Sequence, residues 1–362
     1  DEKALKKFVG NSAIVSAIIA IIMTALTILL CKNILTWMNT PRDIYDLAYQ
    51  YLIVIFAGIP ATILYNLLSG YLRSLGNSVI PVIFLIISAV LNIGLDLLFI
   101  LTFHMGVFGA AFATVLSQAI SGVLCLIYIM KKITLLHITR DDLQLSRQYV
   151  KNLIIMGFPM GFQYSITAIG SVILQTAVNS LGSTAVASMT AASKISMFVV
   201  CPFDALGSTM ATYSGQNVGA GEFDRVKKGL VSASLLGSIY AVAIFVVLFF
   251  SCNYLIYMFV SPDETEVIRQ AHQFLLYNAA FYVPLVFVNT VRFAIQGMGF
   301  SGFAMFAGVA EMIARSLVGL ALVPVFGFSA ACFASPLAWI FADSFLIPAF
   351  IHCLNKLKRT IS

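Results

Sequence analysis

Charge is what this sequence has least of. Of its 362 residues, 21 are Lys or Arg and 15 are Asp or Glu, together 10%, where soluble domains run near 25%. So little polar surface cannot wet a globule of this size, and a disordered chain needs the opposite balance. The net charge of +6 comes from dispersed cations, not from the single basic patch that nucleic-acid binding requires. Six cysteines stand singly at 31, 125, 201, 252, 332 and 353, and four histidines at 104, 137, 272 and 352 share no metal-ligand spacing. Neither a disulfide framework nor a structural zinc site is expected. HExxH, GxSxG and phosphate-cradling glycine loops are missing, so no enzyme is expected either. The chain opens on Asp1-Glu2-Lys3 without a starting Met or a signal peptide, and reads as though it begins within a longer protein.

What the sequence has is apolar length. Hydrophobic residues make up 60% of it and the mean hydropathy is +0.97. A spanning helix needs about 20 mostly apolar residues. Ten segments qualify: 10–31, 47–69, 79–103, 107–130, 152–179, 184–212, 230–252, 271–296, 302–325 and 328–353. The fifth and sixth are long and are expected to be kinked or to extend beyond the bilayer. The runs do not alternate in the manner of barrel strands, so the expected class is an all-α polytopic membrane protein. With the first residues cytoplasmic, fifteen of the 21 Lys and Arg residues fall on the cytoplasmic side. The positive-inside rule therefore places both ends of the chain in the cytoplasm.

Displaced by 221 to 223 residues, the chain matches itself. Lys6-Lys7 falls on Lys227-Lys228, Thr40-Pro41 on Ser261-Pro262, and the run from Ala48 to Leu52 on the run from Ala271 to Leu275. Asn66 meets Asn289, Gly76 meets Gly299 and Gly106 meets Gly327. Six crossings separate the first span from its copy, so the repeat is parallel, about an axis along the membrane normal. Nothing before residue 1 corresponds to the spans of 152–212, and two further N-terminal helices are expected in a twelve-helix parent. The domains read as a partial lobe over 1–130 with four spans, a polar cytoplasmic linker over 131–150, and a second lobe over 151–362 with six.

The stretch Gly157-Phe158-Pro159-Met160-Gly161, the turn from Asn179 to Ala187, and Gly215-Gln216-Asn217-Val218-Gly219-Ala220-Gly221 with Arg225 resemble the multidrug and toxic compound extrusion (MATE) family. So do Arg73-Ser74-Leu75-Gly76 and Gln296-Gly297-Met298-Gly299, which end equivalent helices. The resemblance covers the whole chain, as that family's helices 3 to 12. It implies a two-lobe transporter of the prokaryotic cytoplasmic membrane that exports amphipathic or cationic organic compounds by alternating access, driven by Na+ or H+. On this reading the 362 residues alone are not expected to transport. No cofactor beyond the coupling ion is expected, and the partners are the substrates and the bilayer, with the protein a monomer. The alternative is a lipid-linked saccharide flippase of the related superfamily, which needs a cationic central cavity.

Acidic residues in spans cost roughly 2.5–3.5 kcal/mol each at mid-bilayer, so each should meet a partner or a cavity. Asp96 lies four residues after Asn92, on one helix face. A carboxylate, an amide oxygen and a hydroxyl suit either Na+ or a titrating proton, and the hydroxyl candidate is Thr114 on the next span. These three residues also match the family's N-lobe cation site, which an aspartate on the family's first helix completes. The alternative is that Asn92 and Asp96 only hydrogen-bond helices together. The family's seventh-helix glutamate falls on Thr167 here, so an acid at that place is missing. Glu311 and Arg315 are spaced as an intrahelical ion pair, and Arg292 is expected to snorkel toward the cytoplasmic face. Lys194 and Asp204 are candidates for a cavity wall, and Asp343 has no partner in sequence. Substrate-binding candidates are Tyr51, Asn66 and Ser69 in the first lobe and Gln163, Tyr164, Gln175 and Asn289 in the second. Ordinary interhelical packing is the plain alternative for each of them.

Overall fold

The computed structural model describes residues 2–37 and 40–361, so Asp1 lies outside the described residues. Every regular element among them is helical. In lipid a backbone must satisfy its own polar groups, and an isolated segment can do so only as a helix. Two compact units divide the chain between Leu153 and Ile154.

The first unit contains α1 (Glu2–Trp37), α2 (Tyr45–Ala57), α3 (Ile59–Ser74), α4 (Val79–Leu97) and α5 (Gly106–Lys132). A π-turn, Leu98–Thr102, extends α4. Helix α6 (Arg147–Asn179) leads into the second unit, which continues with α7 (Ser183–Gly219), α8 (Phe223–Ile256), α9 (Thr265–Ala280), α10 (Tyr282–Gly297) and α11 (Ser301–Leu317). A second π-turn, Val318–Leu322, is followed by α12 (Val323–Phe326), α13 (Phe328–Cys332) and α14 (Ala334–Ile361).

Eight helical stretches are long and apolar enough to cross a membrane, and two bent pairs bring the spans to ten. The spans expected over 47–69 and 271–296 are these pairs. They bend by 42° between α2 and α3 and by 54° between α9 and α10. Proline explains both breaks: Pro60 and Pro284 stand at the second and third residues of α3 and α10, where a missing N–H and a bulky ring interrupt the preceding turn. Helices α6 and α7 run unbroken through Pro159 and Pro202 for 33 and 37 residues. At 1.5 Å per residue they measure roughly 50–55 Å, well beyond the ~30 Å hydrocarbon core. Large apolar side chains such as Leu29, Phe198 and Phe250 are more than 70% exposed, a surface suited to acyl chains and not to water.

The internal repeat is visible in the backbone. Gly76 and Gly299 both have positive φ, at 81° and 90°, and so do Gly106 and Gly327, at 55° and 62°. The second halves of the bent pairs, at Ile59 and Tyr282, begin 223 residues apart, and the π-turns, at Leu98 and Val318, begin 220 apart. Packing repeats as well: α3 and α4 lie on α5 in the first unit, and α10 and α11 lie on α14 in the second. The second unit adds α7, whose main partner is α10. There Phe203 and Tyr282 are buried together at 5.5 Å between ring centroids. Gly297 makes the approach possible, because a Cβ on it would lie 2.2 Å from the Ala211 carbonyl oxygen.

In the first unit the polar linker is fastened back onto α1. Asn11 is fully buried. Its amide donates to the carbonyls of Lys7 (2.9 Å) and Gln144 (3.2 Å), and its oxygen accepts the Ser146 N–H at 2.9 Å. Beside it, a Cβ on Gly10 would lie 2.2 Å from the Asp142 carbonyl oxygen. The Thr139 N–H and hydroxyl donate to the Asp142 carboxylate at 2.9 and 2.7 Å. These bonds, the backbone one foremost, hold the Asp142 carboxyl below the usual carboxylate range.

Candidate functional sites in the two units

In the first unit, α4 lies along α5, and this juxtaposition sets Asn92 against Thr114. The Asn92 amide donates to the Thr114 hydroxyl at 3.4 Å, and that hydroxyl donates to the Ala110 carbonyl at 3.0 Å. Asp96, one turn beyond Asn92, has a buried carboxylate oxygen with no hydrogen-bond partner among the described residues. The π-turn begins two residues later, and such turns are frequent at functional sites. The three predicted residues therefore fall in one region of one unit. Two of them are bonded to each other, and the third is an acid without a donor.

Of the first unit's substrate candidates, Tyr51 and Asn66 are exposed, whereas Ser69 is buried with an unpartnered hydroxyl. In the second unit, Tyr164 is exposed, and Gln175 donates to Asn179 at 2.9 Å. Gln163 is buried and accepts from the Gln296 amide at 2.9 Å. Asn289 donates to the Asp204 carboxylate at 3.1 Å. Lys194 stands 5.7 Å over the Phe259 ring.

Sequence reasoning missed two features. The Thr62 hydroxyl donates to Gln118 at 2.5 Å, tying α3 to α5. In addition, a cavity of about 780 Å³ opens between α1, α3 and α5, lined by Ala13, Ala17, Ile63, Leu67, Tyr71 and Ile129 among others. The run of small residues Ala13, Ser16, Ala17 and Ala20 on α1 was the signal for it. The equivalent groove between α8, α10 and α14 holds about 370 Å³. None of the predicted site residues lines either space.

The charges of the second unit correct one expectation. Arg292 does not snorkel: it is buried and pairs with Glu311. Glu311 also meets Arg315 at 3.5 Å, the expected intrahelical pair. Arg315 in turn donates to the Thr167 carbonyl at 3.4 Å and the Ser171 hydroxyl at 3.2 Å. Two guanidiniums on one carboxylate, each tied to a different helix, gain more from pairing in this low-dielectric setting than Arg292 gains by reaching an interface.

The fold and these sites define a multi-pass helical membrane protein built from a parallel repeat, with carboxylates held inside its helical units. The MatE family model matches residues 1–98 and 159–323, and the chain belongs to that family. Among its relatives, the probable multidrug resistance protein YpnP of Bacillus subtilis is 30% identical over 292 residues, 80% of this chain and 64% of that protein. The probable multidrug resistance protein YoeA of the same organism is 25% identical, over 78% of this chain and 62% of that protein. The chain thus spans less than two thirds of the length of these relatives. The solved structure of MATE in complex with MaL6 superimposes with a TM-score of 0.90 at 20% identity, covering 99% of this chain and 81% of that one. An outward-facing multidrug resistance MATE family transporter gives 0.89 at 19% identity, over 99% and 83%. At these identities the likeness is one of fold.

Proposed function

We propose that the protein exports small amphipathic or cationic organic compounds across the cytoplasmic membrane by Na+- or H+-coupled antiport, with both ends of the chain on the cytoplasmic side. Membership of the MatE family and relatives described as multidrug resistance proteins support the cargo class. The observation that carries the coupling is Asp96, a membrane-buried carboxylate oxygen without a donor, one turn from the Asn92–Thr114 pair. A bare carboxylate in that setting is stabilised by a cation or a proton, and either ligand biases the packing of α4 on α5. The flippase alternative needs several free cations for a pyrophosphate, but of the three cations in spans Arg292 and Arg315 are committed to Glu311, which leaves Lys194 alone.

The test is ethidium efflux from membrane vesicles carrying the complete gene product or its Asp96→Asn variant, under separate Na+ and pH gradients. Export should follow one gradient only and vanish in the variant. Export that is indifferent to Asp96→Asn would reduce Asn92, Asp96 and Thr114 to helix–helix contacts.

A further inference from the structure

Two neighbouring helices of the second unit expose stripes of different chemistry. On α8 every exposed side chain between residues 235 and 250 is apolar, Leu235, Ile239, Val242 and Phe250 among them, a face suited to acyl chains. On α7 the residues Thr190, Lys194, Met197, Cys201, Asp204 and Ser208 are all exposed. They are spaced alternately by four and three residues, which sets them on one helix face. This stripe includes an ammonium and a carboxylate. Charged side chains exposed on a spanning helix face water and not hydrocarbon, so the stripe of α7 borders an aqueous space.

Asp204 stands at membrane depth. Helices α7 and α10 run side by side in one register: Asn289 donates to Asp204 at 3.1 Å, Phe293 lies against Gly207, and Gly297 lies against Ala211. Gly297 is the last residue of α10, and Asp204 precedes Ala211 by seven residues, about 10 Å along the helix. No cation answers the Asp204 charge: it forms no ion pair among the described residues. Arg292, three residues past Asn289, is held by Glu311. Lys194, about 15 Å along α7, stands over the Phe259 ring. Asn289 is itself buried, so its amide fixes the carboxylate from behind and leaves the exposed side open. A hard metal cation takes a cage of oxygen ligands, whereas one turn from Asp204 the stripe offers the Cys201 thiol and a single hydroxyl, Ser208.

We propose that Asp204 is the countercharge for an amphipathic organic cation bound on the exposed face of α7, and that Asn289 is its positioning residue. The class of cargo rests on the export reading above; the choice of residue rests on the geometry of this unit. The cation's charge meets the open side of the Asp204 carboxylate, and its apolar body lies along the stripe toward Met197, whose flexible, polarisable thioether adapts to varied shapes. The site selects by sign of charge, because an anion of the same shape would meet the carboxylate with no cation to offset it. Asp204 is separate from Asp96, which lies in the other unit and is assigned to coupling.

Cys201 supplies the assay, since it is exposed one turn from Asp204 while the other five cysteines are buried. The complete gene product in lipid nanodiscs is treated with water-soluble methanethiosulfonates, one bearing a trimethylammonium and one a sulfonate, and a Cys201→Ser variant gives the blank. Cys201 should react with both. The cationic-to-anionic rate ratio should fall by about fivefold or more in Asp204→Asn, from loss of one charge a helical turn away. Tetraphenylphosphonium should slow the labelling, and tetraphenylborate, of the same shape and opposite charge, should not. In Asn289→Ala the carboxylate remains and so does the reagent ratio, but protection by tetraphenylphosphonium should need about fivefold higher concentration. A Cys201 unreactive to both reagents, a ratio unmoved by Asp204→Asn, or equal protection by the two probe ions would each overturn the proposal. The comparison of the two probe ions requires no variant of the site to fold. None of these readouts involves export or an ion gradient. Protection by tetraphenylphosphonium without ethidium efflux would keep the Asp204 site and sink the export reading, whereas efflux without protection would do the reverse.

Discussion

Replacing Asn11 with Ala should release the linker from α1. The side chain makes three hydrogen bonds from a fully buried position, and two of them, to the Gln144 carbonyl and from the Ser146 N–H, hold the linker. A net contribution of about 0.5–1.5 kcal/mol per bond puts the pair near 1–3 kcal/mol. Gln144 is exposed, so its carbonyl can turn to water after the change, which favours the lower part of that range, about 1–2 kcal/mol. Each 1.4 kcal/mol is tenfold in an equilibrium, so the opened linker should be populated about 5- to 30-fold more. Trypsin reads this at Arg140 and Arg147, because cleavage tracks the open population when reclosing is faster than cutting. Gly10→Ala should act in the same direction by a different route, since its new Cβ meets the Asp142 backbone. A cleavage rate changed by less than about twofold in Asn11→Ala would mean that these bonds do not hold the linker.

Three further outcomes follow from the same geometry. Asp142 lies below the usual carboxylate range because Thr139 donates to it, so its contribution is complete above about pH 4 and is lost as the pH falls through its lowered value. The protection of the Thr139 amide against hydrogen exchange, taken relative to the intrinsic rate at each pH, should therefore fall in acid, and Asp142→Asn should abolish that dependence; an acid-independent protection would contradict it. Gly297→Ala should separate α7 from α10 at a cost of about 1–3 kcal/mol, seen as a lowered thermal midpoint in detergent, and an unchanged midpoint would show that the helices have slack there. Phe203→Ala empties a fully buried position between Tyr240 and Tyr282, for which about 3–5 kcal/mol of lost stability is expected. Denaturant unfolding measures this, and a loss below about 1 kcal/mol would indicate that the site collapses around the gap.

The ten spans were legible because bilayer crossing is a local property: some twenty apolar residues in a row suffice, whatever the neighbours do. The repeat was legible for the same reason, as an ordered series of short matches, and it marked out the glycines whose positive φ recurs at 76 and 299 and at 106 and 327. Pairings one helical turn apart could be read from spacing alone. Asn92 with Asp96 and Glu311 with Arg315 are of this kind, and only the second is a formed contact.

Pairings between distant segments could not be read in that way. Nineteen residues separate Arg292 from Glu311, and sequence offers no rule that brings them together; the packing of α10 on α11 does. The bends at Gly58 and Phe281 were written in Pro60 and Pro284, but their angles depend on the helices that receive the second half of each pair. Hydropathy, charge placement and self-similarity determined by themselves that the chain crosses the membrane about ten times as a parallel duplication, because these act through the bilayer and along the chain. Which buried charge has a partner was decided only by tertiary structure. That outcome turns on ångström distances between helices far apart in sequence, and it leaves Glu311 with two guanidiniums and Asp343 with none.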